Sequence, residues 1–470
     1  MKPETKAELA GFLSRLPEKM AAYLAAAIER DRLSGSGAFP HEFILDALRP
    51  ALRKSPTRQR IPSPLRLVCE AFEDLLVSGE RRRKQPGRIS RASIVPVWEW
   101  LTNELIPQRA AELGAAISNA VLAGDLAARD AHVIELQKAA SSAILERLRT
   151  LDPIMQDYRA IEQRLGGPAA LLDAREMALM MDAAADLKPL TAKLPKPIET
   201  LSEEHVAAIR TTFDEFVASR ADQAPYIALM VMGRLERPWE ALRMASAVSR
   251  KTTDTVISAS DLGVIGELLF SDAEELEQGL RAIRQPEFDP AQVARLVEAF
   301  AALSTGIVKE LGIRKDGKWG QRLMKCRAGV ASTMEALMER APREILAVLP
   351  VHQIGGFGAR GPRRPNLSRP PDGEKIARAE RYAALLSLCR PYAANAAFGA
   401  AMNDALDEVA PALRALAEDV VTELRAAQPE ARATIEVHLE LALRLCERIL
   451  GEEETDLIRR RGTAAHAAAG

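Results

Sequence analysis

The chain has 470 residues, 47% of them apolar and 4% aromatic, which is enough apolar surface for a packed core and excludes wholesale disorder. A formal net charge of −1 excludes a chain-wide affinity for polyanions. The apolar share is mostly Ala and Leu, the strongest helix formers, while the aromatic residues that favour strands are few. Composition therefore predicts an all-α protein, a multi-helix array built as an α-solenoid or irregular bundle, with no substantial β-sheet.

The N-terminal stretch MKPETKAELAGFLSRLPEK carries charges throughout and lacks the apolar run of a secretory signal. The longest uncharged stretches, such as 224–233 and 345–359, fall short of a membrane span of about 18–20 apolar residues. The four Cys are widely separated and form no C-x-x-C pair. The expectation is a cytoplasmic chain without a transmembrane segment.

Residues 1–187 read as a helical region with basic loops. Ser34-Gly-Ser-Gly37 stands in a turn before Pro40 and is no nucleophile elbow. Charge then becomes uneven: residues 49–91 hold twelve basic against four acidic residues, a balance of +8. Within them Arg81, Arg82, Arg83, Lys84, Arg88 and Arg91 surround Pro86-Gly87 and form the candidate contact for an anion or an acidic partner. A second basic loop, KSPTRQR, occupies 54–60. Phe72 is present, but aromatics are not interleaved with the cations as base stacking requires. His132-x-x-Glu135 reads as a surface contact on one helix face.

Residues 188–201 contain Pro189, Pro195 and Pro197 and read as a stiff connector. The central region, 202–350, is helical by periodicity. Val206, Ile209, Phe213 and Phe216 share a face, and after Asp289-Pro290 so do Val293, Leu296, Phe300, Leu303, Ile307 and Leu311. Ser271 with Glu274 reads as a capping box opening a helix. The stretch APYIALMVMGRLERPWEALRMASAV, with Trp239, Ala241 and Leu242 after a turn at Arg237-Pro238, resembles a tetratricopeptide-type helix pair, without a repeat at any fixed period. Gly312-Ile-Arg-Lys-Asp-Gly-Lys-Trp319 approaches a phosphate-binding loop, but Trp319 replaces the metal-binding hydroxyl and no strand precedes it, so a turn between helices is expected.

Residues 351–373 read as a Gly/Pro/Arg-rich loop. Its Gly355-Gly-Phe-Gly-Ala-Arg-Gly361 run lacks the strand–loop–helix context of a dinucleotide site. Residues 374–461 read as an acidic helical region, and residues 402–456 hold fourteen acidic against five basic residues, a balance of −9. Ile435, Leu439, Ala442, Cys446 and Ile449 form an apolar stripe there. Residues 462–470 read as a flexible tail.

No catalytic residues, metal ligands or cofactor site are recognisable. The six His include no pair at i, i+4, and each Cys falls on an apolar helical face, where it packs as a small hydrophobe. The expectation is a non-enzymatic helical scaffold or adaptor with a protein partner. Three alternatives compete with it: a nucleic-acid-associated protein using residues 81–91, an enzyme whose site is assembled from distant residues, and self-association of the basic and acidic regions.

Overall fold

The computed structural model describes residues 3–35, 39–52, 61–79, 84–151, 156–249, 257–284, 287–314, 316–349, 351–353 and 363–469. It is an all-α protein. Strands among the described residues amount to a two-residue parallel ladder, β1 (Leu76–Val77) with β2 (Ile89–Ser90), and a short antiparallel ladder, β3 (Val351–Gln353) with β4 (Arg363–Pro365). The chain divides into two compact units, Met1–Ala241 and Leu242–Gly470.

The first unit opens with α1 (Pro3–Ser14), α2 (Glu18–Ser34) and α3 (His41–Leu52), a three-helix module with its own core of Leu13, Ala21, Ala25, Ile28, Ile44 and Leu48. Then come α4 (Pro64–Cys69), α5 (Ile94–Trp100), α6 (Pro107–Ala123), α7 (Leu126–Thr150), α8 (Gln156–Leu165) and α9 (Pro168–Lys193). Last are α10 (Glu203–Ser219) and α11 (Ala224–Arg234). The long helices α7 and α9 pack together as the spine of this unit; α4 and α6 lie on α7, α8 and α10 on α9, and α11 on α10.

Local chemistry fixes where the spine helices begin. Gly124, at φ 73°, ends α6 in a left-handed conformation that suits glycine. The Asp125 side chain then accepts from Ala128 N at 3.0 Å and caps α7. Before α9, Gly166 and Gly167 adopt φ 104° and 113°, and Pro168 occupies the first turn. Helix α9 continues through Pro189 to Lys193, so the Pro-rich stretch leaves the helix later than its first proline. Beyond it, Leu194, Ile198 and Leu201 are buried, and Ile198 N donates to Arg234 O at 2.8 Å.

The second unit contains α12 (Ala241–Ser249), α13 (Gly263–Arg281), α14 (Pro290–Glu310), α15 (Lys318–Leu346), α16 (Gly373–Cys389), α17 (Gly399–Ala426), α18 (Pro429–Ile449) and α19 (Glu452–Ala469). Helices α14 and α15 each pack on α13, α16 lies on α14 and α15, and α17–α19 close a second group. The Asp289 cap and the apolar face of α14 are as the sequence predicts: Val293, Phe300, Leu303, Ile307 and Leu311 are buried. Among the described residues only α14 is long and apolar enough to cross a membrane, and half of that window is buried inside the protein. A core helix passes the same test.

Several local expectations change in the folded chain. Ser271 lies inside α13, which begins eight residues earlier at Gly263, so it does not open a helix. The two arms of the tetratricopeptide-like stretch, α11 and α12, fall on either side of the division at Ala241–Leu242. Residues 462–469 stay helical, because Ala residues propagate a helix that has a docked side. There Ala465 is fully buried and His466 Nδ1 sits 2.7 Å from Glu436 Oε1. Residues 312–314 and 316–317 lie between α14 and α15, and Trp319, in the first turn of α15, is buried against Gly266.

Candidate functional site

Of the six basic residues singled out from the sequence, Arg81, Arg82 and Arg83 lie outside the described residues, as does the loop at 54–60. The other three fare differently from one another. Arg91 is exposed. Arg88 is half-buried, and its Nη1 donates to Gln85 Oε1 at 2.8 Å. Lys84 is drawn into the interior.

Three oxygens surround the Lys84 ammonium. It donates to Glu176 Oε2 at 2.5 Å and to Arg88 O at 2.8 Å. Asp173 Oδ1 lies 2.7 Å away as an ion pair without hydrogen-bond alignment. The carboxylates are 2% and 8% exposed, so these charges interact in a medium far less polar than water. Neutral donors complete the shell. Ser93 Oγ donates to Asp173 Oδ2 at 2.6 Å and Ser90 N to the same oxygen at 3.1 Å, while Gly87 N donates to Glu176 Oε1 at 2.9 Å. Gly87 has φ 68°, and a Cβ there would fall 2.3 Å from Leu229 Cδ1, so only glycine brings this amide onto the carboxylate.

Two carboxyl groups thus face one lysine nitrogen. Burial pushes the Glu176 carboxyl above its ordinary range, against the opposing pull of Lys84 and the Gly87 amide. Burial, together with the Glu176 charge and hydrogen bond, also pushes the Tyr226 phenol up. The arrangement does not activate a nucleophile. The Ser93 hydroxyl donates its hydrogen bond to the Asp173 carboxylate, which Lys84 also faces, so no base is presented to it. Its chemistry is that of a latch, pinning the chain just after the arginine run onto α9.

Lys84, Asp173 and Ser93 line a cleft of ≈ 420 Å³ together with Arg88, Ser90, Arg164 and Gly79. Arg164 pairs across with Glu104. Both described flanks of the arginine run, Gly79 and Lys84, therefore line one cleft.

Asp173, Glu176, Ser93 and Tyr226 do not stand out in a reading by motif. A signal for the two acids exists. They sit three residues apart on the part of α9 where Ala170, Leu171, Ala174, Met177 and Ala178 are all buried, and acids inside an all-round apolar helix call for a cation. Which cation answers is a matter of tertiary structure.

Other sequence candidates keep structural roles. The His132 and Glu135 side chains approach to 4.0 Å at the surface. Cys326, Cys389 and Cys446 are buried and Cys69 half-buried, and burial pushes their thiols up, to about 11 for Cys326 and about 12 for the rest. Phe72, the aromatic of the basic region, is buried. Among the described residues no group of His, Cys, Asp and Glu has the arrangement of a metal site.

Comparison with known proteins finds no matching family model, no matching curated protein and no matching solved structure. The functional reading therefore rests on the site itself.

Proposed function

We propose that the protein is a non-enzymatic cytoplasmic helical adaptor whose arginine run docks an acidic protein surface. The observation that supports this reading is the Lys84–Asp173–Glu176 latch. A solvated loop needs no fixed position. Here three desolvated charges, an arrangement that gives little net stability, fix where the segment after Arg83 leaves the helical body. Positioning a cationic segment is useful when a partner must find it in register, because complementary charge sets encounter rate and orientation. The alternative of single-stranded nucleic acid has less support, since Phe72 is buried and offers no stacking face.

The test pairs the wild-type chain with Arg81→Ala/Arg82→Ala/Arg83→Ala, which leaves Lys84 and the latch in place. Capture from native lysate at low salt should recover a stoichiometric acidic protein with the wild type, lost with the triple variant and on raising salt. Equal recovery by both chains, or no partner, overturns the reading. A low-salt mobility shift of DNA or RNA that the triple variant abolishes replaces it with the nucleic-acid alternative.

A further inference from the structure

A second pocket in the first unit, ≈ 250 Å³ in volume, lies between α4, α7, α9 and α11. Leu67, Val133, Ile134, Leu187 and Met230 give it apolar walls, and charged side chains crowd its rim. Most of that charge is already spent. Asp130 Oδ1 accepts from Arg129 Nε at 2.8 Å and Nη2 at 2.6 Å, and its Oδ2 accepts from Lys188 Nζ at 2.5 Å. Asp74 is held by Arg234 at 2.6 Å and Lys196 at 2.8 Å.

Two acceptors remain. Glu70, whose side chain is exposed to solvent, makes no hydrogen bond or ion pair among the described residues, and partial desolvation raises its pKa despite Arg129. Gln137 is 4% exposed; its Nε2 donates to Val68 O at 3.2 Å, while its Oε1 accepts no hydrogen bond among the described residues. A solvent-reached carboxylate and a spare amide oxygen on a pocket lined by both apolar and polar side chains suit a ligand that brings N–H donors, a positive charge and a hydrocarbon body. Size limits that body. A cavity of about 150 Å³ accommodates benzene, so ≈ 250 Å³ takes one ring with a short side chain.

We propose that this pocket binds a small protonated amine with a compact apolar body, its ammonium held by Glu70 and Gln137 Oε1. The proposal stands apart from the arginine run and does not depend on the adaptor reading.

The probes are phenylethylamine, phenylethanol and phenylpropionate, which share a body and differ in the charge of the head, each titrated into the full chain by calorimetry. The amine should bind saturably with one site, at least about tenfold more tightly than the alcohol or the acid, as expected of one charge-assisted hydrogen bond. Glu70→Gln should weaken the amine about tenfold and leave the alcohol unchanged. Ala184→Leu, which fills the pocket from its wall, should abolish binding of all three. The proposal is overturned by absence of saturable amine binding, by an acid that binds as tightly as the amine, or by a Glu70→Gln chain that keeps full amine affinity. The comparison of three probes on the wild-type chain decides the matter even if a variant fails to fold.

Discussion

Lys84 and Glu176 are 92 positions apart, yet the lysine ammonium is 2.5 Å from the glutamate Oε2, beneath a chain segment that the sequence presents as a solvent-facing basic loop. The contact joins the residue that follows the arginine run to the N-terminal half of α9. A residue counted toward a surface charge is thereby spent inside the protein.

Lys84→Met removes the cation and keeps the bulk of the stem. Two buried carboxylates are then left without their partner, a change that costs about 3–5 kcal/mol. Thermal unfolding followed by circular dichroism should show a transition lowered by roughly 6–20 °C. A shift within about 2 °C would mean that the latch relaxes to water without penalty.

Glu176 gives the latch a pH dependence with a defined sign. Its folded pKa is raised above the ordinary 4.5, chiefly by desolvation, so the folded chain holds this proton more tightly than the unfolded chain. Its contribution is fully present below pH 4.5 and is lost as pH rises through the raised folded value. Glu176→Gln, which cannot lose a proton, should therefore gain stability relative to wild type as pH rises across that window. Urea midpoints at a series of pH values measure it, and a difference that moves the other way would contradict the desolvation account.

Trp319 packs on Gly266 so closely that a Cβ there would fall 2.1 Å from Trp319 Cζ2. The indole is fully buried and stacked at a tilt on Phe270, with ring centroids 5.7 Å apart. Gly266→Ala must displace it, at a cost of about 1–3 kcal/mol. A red-shifted tryptophan emission with a lowered urea midpoint is the expected outcome; unchanged emission and stability would show that the helices part freely.

The four thiols are predicted to be inert in the folded chain. With pKa values pushed to about 11 or 12 and three of the four side chains buried, almost no thiolate exists at neutral pH. Iodoacetamide at pH 7.5 should leave Cys326, Cys389 and Cys446 unmodified in native protein and alkylate all four after denaturation, as read by mass spectrometry. Fast labelling of any of those three would point to an activated cysteine.

The helical class and many of its boundaries are written locally. The Asp289-Pro290 start of α14, the face from Val293 to Leu311, and the stripe from Ile435 to Ile449 need only neighbouring residues, because a helix closes its hydrogen bonds within its own segment. Ser271 shows the limit of the same logic: a cap pattern exists there, but the packing of Ile265, Leu268 and Leu269 carries the helix past it.

What only the tertiary structure decided is the state of each charge. Sequence counts Lys84, Arg88 and Arg91 alike, and says nothing to separate Glu70 from Asp74 or Asp130. The fold buries Lys84 between Asp173 and Glu176, leaves Arg91 in water, and pairs Asp74 and Asp130 with cations at the small pocket while Glu70 has no such partner among the described residues. The reason is physical: backbone coiling is set within a few residues, whereas desolvation and ion pairing depend on what lies within a few ångströms, whatever its distance along the chain.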